Sequence, residues 1–363
     1  MNKNIKIIII VVIILLTIIG VGFFKYASFF SAPQKEAEAQ QFTIAIGKDD
    51  STEIAQQLKS QGFIKSELGF KIALLGLKGI NSVCVDCISP GAYKISKAMN
   101  AREIAKILQQ KPYMKWVIIP EGFRKEQIAE ILVETLGWND EQKSDWVTKY
   151  TAMNYDYIEG VYFPNTYLIP ADEAPLDVAQ RFINKFNEKF APYADKFTKA
   201  NIKWTTALKI ASIVQREAGG KDDMPLIAGI LWNRLLKDMR LEIDATIQYI
   251  NDSRNNYLGI QCGEITPCVN QELTYSGYAA KKDGWWQPIK SADIQKASAY
   301  NTYLNKGLPP HPIANPGLEA IDAVLNSTET ECLFYLHDSN RQIHCAKTYE
   351  EHLANIEKYL KNE

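Results

Sequence analysis

From Ile7 to Phe24 the chain reads "IIIIVVIILLTIIGVGFF", without a single charge between Lys6 and Lys25. No other feature narrows the folding options as much. An uncharged apolar run of this length is about what an α-helix needs to cross a hydrocarbon core of ~30 Å. Lys3 and Lys6 precede it, which leaves the short end in the cytoplasm and everything after Lys25 outside. A cleaved signal peptide is the rival reading, but its apolar core runs to about 7–15 residues with a small-residue site close behind. Here the nearest such site, "AEA" at Ala37 to Ala39, lies far from the run. A single uncleaved N-terminal transmembrane helix is therefore expected, with cytoplasmic tip and anchor over 1–25 and a polar tether, "SAPQKEAEAQQ", within 26–41.

The cysteines suit an oxidising compartment. They fall as three close pairs: Cys84 with Cys87, Cys262 with Cys268, and Cys332 with Cys345. An even count of neighbouring pairs reads as disulfides. Zinc is the alternative, since "CVDC" has ligand spacing. A second CxxC is missing, however, and the four histidines are scattered. Disulfides are expected, and the last pair would staple a hairpin in "CLFYLHDSNRQIHCAKTY". A formal net charge of −1 and no basic stripe exclude a general affinity for nucleic acid. Phosphate-binding glycine loops and HExxH are absent, so neither metal nor organic cofactor is expected.

The remaining sequence predicts an α+β fold in two parts. Over 42–116, a strand at Phe42 leads to a helix capped by Ser51, with Ile54 and Leu58 on its apolar stripe. Tyr93 and Ile95 then alternate before a helix bearing Ile104 and Leu108. Over 117–363 the pattern is helix-rich, with helices at Lys125–Leu136, Leu176–Phe190, Thr205–Ala218 and Pro225–Asp238. Asp222 and Asp223 are candidate caps for the last of these. "RLEIDATIQY" is a strand candidate, and "YEEHLANIEKYLKNE" closes the chain as an amphipathic helix.

One helix carries an anomaly. In "ALKIASIVQREAGG", Ile210, Ile213, Val214 and Glu217 share a stripe, because side chains three and four apart lie together. Glu217 stands where the pattern asks for an apolar residue, in the last turn before Gly219 and Gly220, which suggest a left-handed ending. Desolvation by apolar neighbours and the negative end of the helix both disfavour its anion. A carboxylic acid kept protonated near neutrality is what general acid catalysis needs. An exposed Glu at a helix end is the bland alternative. Gln215 cannot substitute, since an amide neither gives nor takes a proton.

Several long stretches, in order, then carry a resemblance. "PEGFRKEQIAEIL", "IEGVYFPNTYLIP", "ASIVQREAG", "PLIAGILWNRLLKDMRLEIDATIQY" and "YNTYLNKGLPPHPIANPG" are similar to the endolytic murein transglycosylase (YceG-like) family. "GAYKISKAMNAREIAKIL" resembles the LysM-like module that precedes the catalytic domain there. The resemblance implies a lytic transglycosylase of a bacterial cytoplasmic membrane, catalytic domain outside, acting inside peptidoglycan glycan strands as they are made. One Glu protonates the leaving oxygen and then helps the sugar's own C6 hydroxyl attack, giving a 1,6-anhydro end. That role falls on Glu217, the only carboxylate in "ASIVQRE". An internal nucleophile removes the need for the second carboxylate of ordinary glycosidases.

Asp244, Gln248, Tyr249, Tyr300, Asn301 and Tyr303 match family positions that could line the sugar cleft. Tyr can equally be core with a satisfied hydroxyl, and Asp before Ala-Thr can make a local turn. Glu159 is a minor candidate for a second acid, and Glu121 of "PEG" reads as structural. Partners implied by the family are glycan strands and peptidoglycan synthases of the elongation or division machinery. Two departures stand out. Many relatives carry Glu where this chain has Gln215, and His311 replaces a smaller residue. The segment around 250–299, with its own cysteines and Trp285 and Trp286, is also longer than the family pattern. A hydrolase using Asp244 or Glu159 as partner carboxylate and a non-catalytic peptidoglycan-binding scaffold remain the rivals.

Overall fold

The computed structural model describes residues 13–17, 28–48, 50–76, 88–150, 159–256 and 284–361. The chain separates into two compact units, residues 1–117 with 167–172, and residues 118–166 with 173–363. Both are α+β. The expected N-terminal transmembrane helix is not supported: among the described residues no helix is long and apolar enough to cross a membrane. Of the apolar run only 13–17 are described, as helix, and five residues rise about 7.5 Å against the ~30 Å required. The other residues of the run lie outside the described ones.

In the first unit β1 (Ala39–Ile44) pairs antiparallel with β2 (Gly91–Ser96), Phe42 opposite Tyr93. A sheet ordered β1-β2-β3-β4 is completed by β3 (Met114–Ile119) and β4 (Asn165–Pro170). Helices α1 (Ser51–Ser60), α2 (Glu67–Gly76) and α3 (Ala101–Leu108) bury Ile54, Leu58, Phe70, Leu74, Ile104 and Leu108 against Phe42, Ile44, Tyr93 and Ile95. Two boundaries differ from expectation. Asp50, not Ser51, caps α1, its Oδ2 accepting from the N–H groups of Thr52 and Glu53 at 3.0 and 3.2 Å. The tether is also shorter than the composition suggests, because Phe30 belongs to this core and β1 begins at Ala39.

The second unit holds α4 (Lys125–Leu136), α5 (Asp140–Asp145), α6 (Pro175–Lys199), α7 (Trp204–Glu217), α8 (Met224–Leu236), α9 (Asp244–Asn256) and α10 (Leu318–Leu325). It ends in a hairpin of β5 (Phe334–His337) and β6 (Ile343–Ala346), followed by α11 (Tyr349–Leu360). Cys332 and Cys345 are bonded across that hairpin. The other two cysteine pairs, and most of the long segment before Tyr300, lie outside the described residues. α6 runs past the expected end at Phe190 to Lys199, since Phe197 continues the buried stripe of Phe182, Phe186 and Phe190.

"RLEIDATIQY" is not a strand. Leu241 and Ile243 do alternate inward, but helix begins at Asp244, and Ile243, Ile247 and Ile250 then recur at helical spacing. The acidic first residue favours that start electrostatically. α4 opens on a buried polar node. Arg124 pairs with Glu126 at 2.6 Å and reaches the Tyr249 carbonyl at 3.2 Å and the Ser253 hydroxyl at 2.9 Å. The motif "FRKEQ" thus anchors α9 to α4.

Candidate active site

α7 is held from several sides, in contact with α6, α8, α9 and α10. Ile210, Ile213 and Val214 are fully buried. The Pro-rich loop straps the helix along one flank: the Ile313 N–H donates to Ser212 Oγ at 3.1 Å, and the Gly317 N–H donates to Gln215 Oε1 at 2.9 Å. Asn315 fixes the strap by donating to Glu159 at 2.7 Å and to the Phe123 carbonyl at 2.8 Å, while accepting from the Tyr162 N–H at 2.8 Å. Gly160 lets the strap approach. Its φ is +92°, and a Cβ there would lie 2.8 Å from Pro312.

The helix does not end in a left-handed residue. Ala218 turns directly to extended backbone, φ −69° and ψ 135°, while its N–H still closes the last turn to the Val214 carbonyl. Gly219 serves another purpose. A Cβ there would lie 3.0 Å from Asp223 Oδ2 and 3.2 Å from both His337 and the Arg341 carbonyl, so the exit from α7 runs close beneath the hairpin. Asp223 occupies the N-cap position of α8 but makes no capping bond; its carboxylate faces His337 Nε2 at 3.2 Å.

Glu217 is half-buried at this exit. Tyr335 of β5 donates its hydroxyl to Oε2 at 2.8 Å, and the Ala245 N–H in the first turn of α9 donates to Oε1 at 3.4 Å. Both bonds favour the anion, and the positive charge of a protonated His337 would add to them. Burial outweighs them and pushes the carboxyl above its ordinary 4.5, with the nearby negative charge of Asp244 acting the same way. The group is thus a carboxylic acid with a raised proton affinity, open on part of its surface and bonded on both oxygens.

The other sequence candidates divide into two groups. Asp244 is exposed at the start of α9 and accepts a hydrogen bond from Tyr303, and Gln248 follows one turn later on the same face. Asp244 and Tyr303 lie close enough to Glu217 to act on it electrostatically. Tyr249 is buried, its ring tilted against that of Tyr300 with centroids 4.9 Å apart and lying 4.2 Å beneath the Arg124 guanidinium. Asn301 is fully buried and organises its own loop, donating to the carbonyls of Ile294 and Lys296 at 2.9 and 2.8 Å. Glu159 is also fully buried, accepting from the Lys125 N–H and from Asn315. Burial pushes its carboxyl up to about 8. These bonds make it part of the framework.

Trp285 and Trp286 are anchors. Their indole N–H groups donate to Glu130 and Gln127, each at 2.9 Å, and the Arg216 guanidinium lies 4.2 Å over the Trp286 ring. Gln215 donates toward Glu121 at 3.5 Å. With a Glu at 215, two acids would face each other there. Among the described residues no three His, Cys, Asp or Glu side chains are grouped to hold a metal ion. Tyr335 and His337 escaped the sequence reading, and Asp223 entered it only as a candidate cap. Alternation in "FYLH" puts Tyr335 and His337 on one strand face, the only available hint that they act together.

A family model described as the YceG-like family matches residues 42–358. A relative from Bacillus subtilis (strain 168), named endolytic murein transglycosylase, is 27% identical over 95% of this chain and 92% of its own. One of the same name from Streptococcus pneumoniae serotype 2 is 23% identical over 99% of this chain and 66% of its own. The crystal structure of a yceG-like protein from Listeria monocytogenes covers 88% of this chain and 99% of its own, with 25% identity and a TM-score of 0.50.

Proposed function

Because the chain belongs to the YceG-like family, we propose that it is an endolytic peptidoglycan transglycosylase in which Glu217 is both acid and base. Its bond would be the β-1,4 linkage from N-acetylmuramic acid to N-acetylglucosamine in nascent strands. Glu217 delivers its proton to the leaving glycosidic oxygen as the bond to C1 breaks. The resulting carboxylate then takes the proton of the C6 hydroxyl, whose oxygen closes on C1. The product carries a 1,6-anhydro end, Glu217 is reprotonated and no water is consumed. Cutting of this kind ends strand growth.

The observation that carries the reading is the half-buried carboxyl at the end of α7, with its proton affinity raised by burial and its position set by Tyr335 and Ala245. Such a group holds its proton more firmly than an exposed carboxyl does, and its two donors stabilise the anion once the proton has left. The nucleophile is part of the substrate, which supplies proximity that a bound water would lack. Asp244 would favour the positive charge growing at C1. The proposal includes an extracytoplasmic site of action, beside the synthases that extend the strands. The Cys332–Cys345 bond supports that compartment.

A digest of purified glycan strands tests the reading. Wild type is expected to release anhydro-terminated fragments by mass spectrometry, and Glu217→Gln none. Asp244 so near Glu217 favours one alternative, hydrolysis by two carboxylates. Fragments with free reducing ends, lost in both Glu217→Gln and Asp244→Asn, would establish that instead. Binding without cutting would mark a scaffold.

A further inference from the structure

We propose that Tyr335 is the positioning residue for Glu217, and that the Cys332–Cys345 bond holds Tyr335 in place. The inference rests on the reading of Glu217 as the acid. Among the described residues two bonds reach the carboxyl, and that from Tyr335 is the closer, 2.8 Å against 3.4 Å for the Ala245 N–H. A Tyr hydroxyl that donates to Oε2 leaves the transferable proton to reside on Oε1. Burial and the neighbouring Glu217 keep the phenol well above its usual 10, so it remains a donor throughout the working range. It orients the acid and does not replace it.

The groups facing Glu217 come from every neighbouring element. β5 supplies Tyr335 and His337, the latter paired with Asp223. The start of α9 supplies Asp244, which holds Tyr303, and Arg216 is the neighbour on α7 itself. Tyr335 is the side chain among them that bonds the carboxyl directly.

The hairpin's register explains the role of the cystine. Tyr335 lies directly opposite Cys345, and Cys345 is bonded to Cys332, just before β5. Each strand has only four residues, and a two-stranded ribbon that short is marginal by itself. The bond therefore ties the strand residue opposite Tyr335 to the lead-in of β5. His337, two residues on along the same face, meets Asp223 and fixes the far end.

The test is direct titration of Glu217 in the full chain, by NMR of 13C-labelled glutamate carboxyls, with the signal assigned by its loss in Glu217→Gln. Tyr335→Phe removes a donor to the anion, so the carboxyl is expected to titrate about one pH unit higher, a tenfold change in its ionisation constant. The alkaline limb of kcat/KM for strand cutting should move up with it. Cys332→Ala/Cys345→Ala should shift the signal in the same direction by less, and the triple variant should match Tyr335→Phe alone. An unmoved titration in Tyr335→Phe overturns the positioning role. A cysteine effect that adds in full to that of Tyr335→Phe overturns the staple. A shifted titration without anhydro fragments from wild type would instead sink the proposed reaction and leave this inference standing.

Discussion

Glu217→Gln is expected to stop strand cutting and to raise thermal stability, both for the same reason. Burial raises the folded-state proton affinity of Glu217 above that of the unfolded chain. The native state therefore binds more protons than the unfolded state between the two pKa values, and stability falls as pH rises through that window. Below the unfolded value, near 4.3, the acid is neutral in both states and the penalty is absent. Above the folded value the penalty is complete and constant. Gln is neutral throughout and escapes it. Each pH unit between the two values is worth about 1.4 kcal/mol. For a unit of this size that corresponds to roughly 3–6 °C in Tm. The amide also fits: Oε1 can accept from the Ala245 N–H while Nε2 donates to the Tyr335 hydroxyl oxygen. Thermal melts of both proteins from pH 4 to 8 provide the measurement. The difference should be smallest at pH 4, widen through the window and then hold. A difference independent of pH, or a variant that melts lower at pH 8, would refute the account of a desolvated acid.

Three further substitutions probe what supports the site. Asn315→Ala strips a donor from Glu159 and from the Phe123 carbonyl, and an acceptor from the buried Tyr162 N–H, while Glu159 keeps the Lys125 N–H and the Phe123 carbonyl keeps the backbone N–H of residue 315. With two of the three groups still partnered, the cost should be that of one deprived buried group, about 1–3 kcal/mol in urea unfolding, and a loss below about 0.5 kcal/mol would deny it the role of hub. In Gly229→Ala the new Cβ would stand 2.2 Å from the Thr328 carbonyl oxygen. That neighbour is backbone, so strain of about 1–3 kcal/mol should appear as a lower Tm. Trp286→Phe removes the bond to Gln127 and should lower stability by about 1 kcal/mol with little change in glycan affinity. An affinity loss of about tenfold would put that ring in the path of the sugar.

What the sequence disclosed, and what it withheld, follows the range of the forces involved. The stripe of Ile210, Ile213 and Val214 was legible because burial imposes a local period, and the four helices read from that period are present. "RLEIDATIQY" deceived because two inward residues of an extended lead-in mimic the alternation of a strand, and the helical spacing shows only when Ile247 and Ile250 are weighed with Ile243. Caps were less legible still: Asp50 and Ser51 are both good capping residues, and only backbone geometry chooses between them. For Asp223, the cap position and the bond to His337 compete for one carboxylate, and the distant partner prevails. The same limit hid Tyr335. Local spacing marks Glu217 as out of place, but its hydroxyl partner lies 118 residues away. A strand of four residues carries too little pattern to announce which face it turns to a helix end. Conversely, Asn301 and Tyr249 looked like cleft residues because polar and aromatic side chains have two uses. Asn301 spends its amide on two carbonyls of its own loop, and Tyr249 its ring on Arg124. An acid displaced from its pattern can thus be found in one dimension, whereas the groups that set its proton affinity belong to the fold.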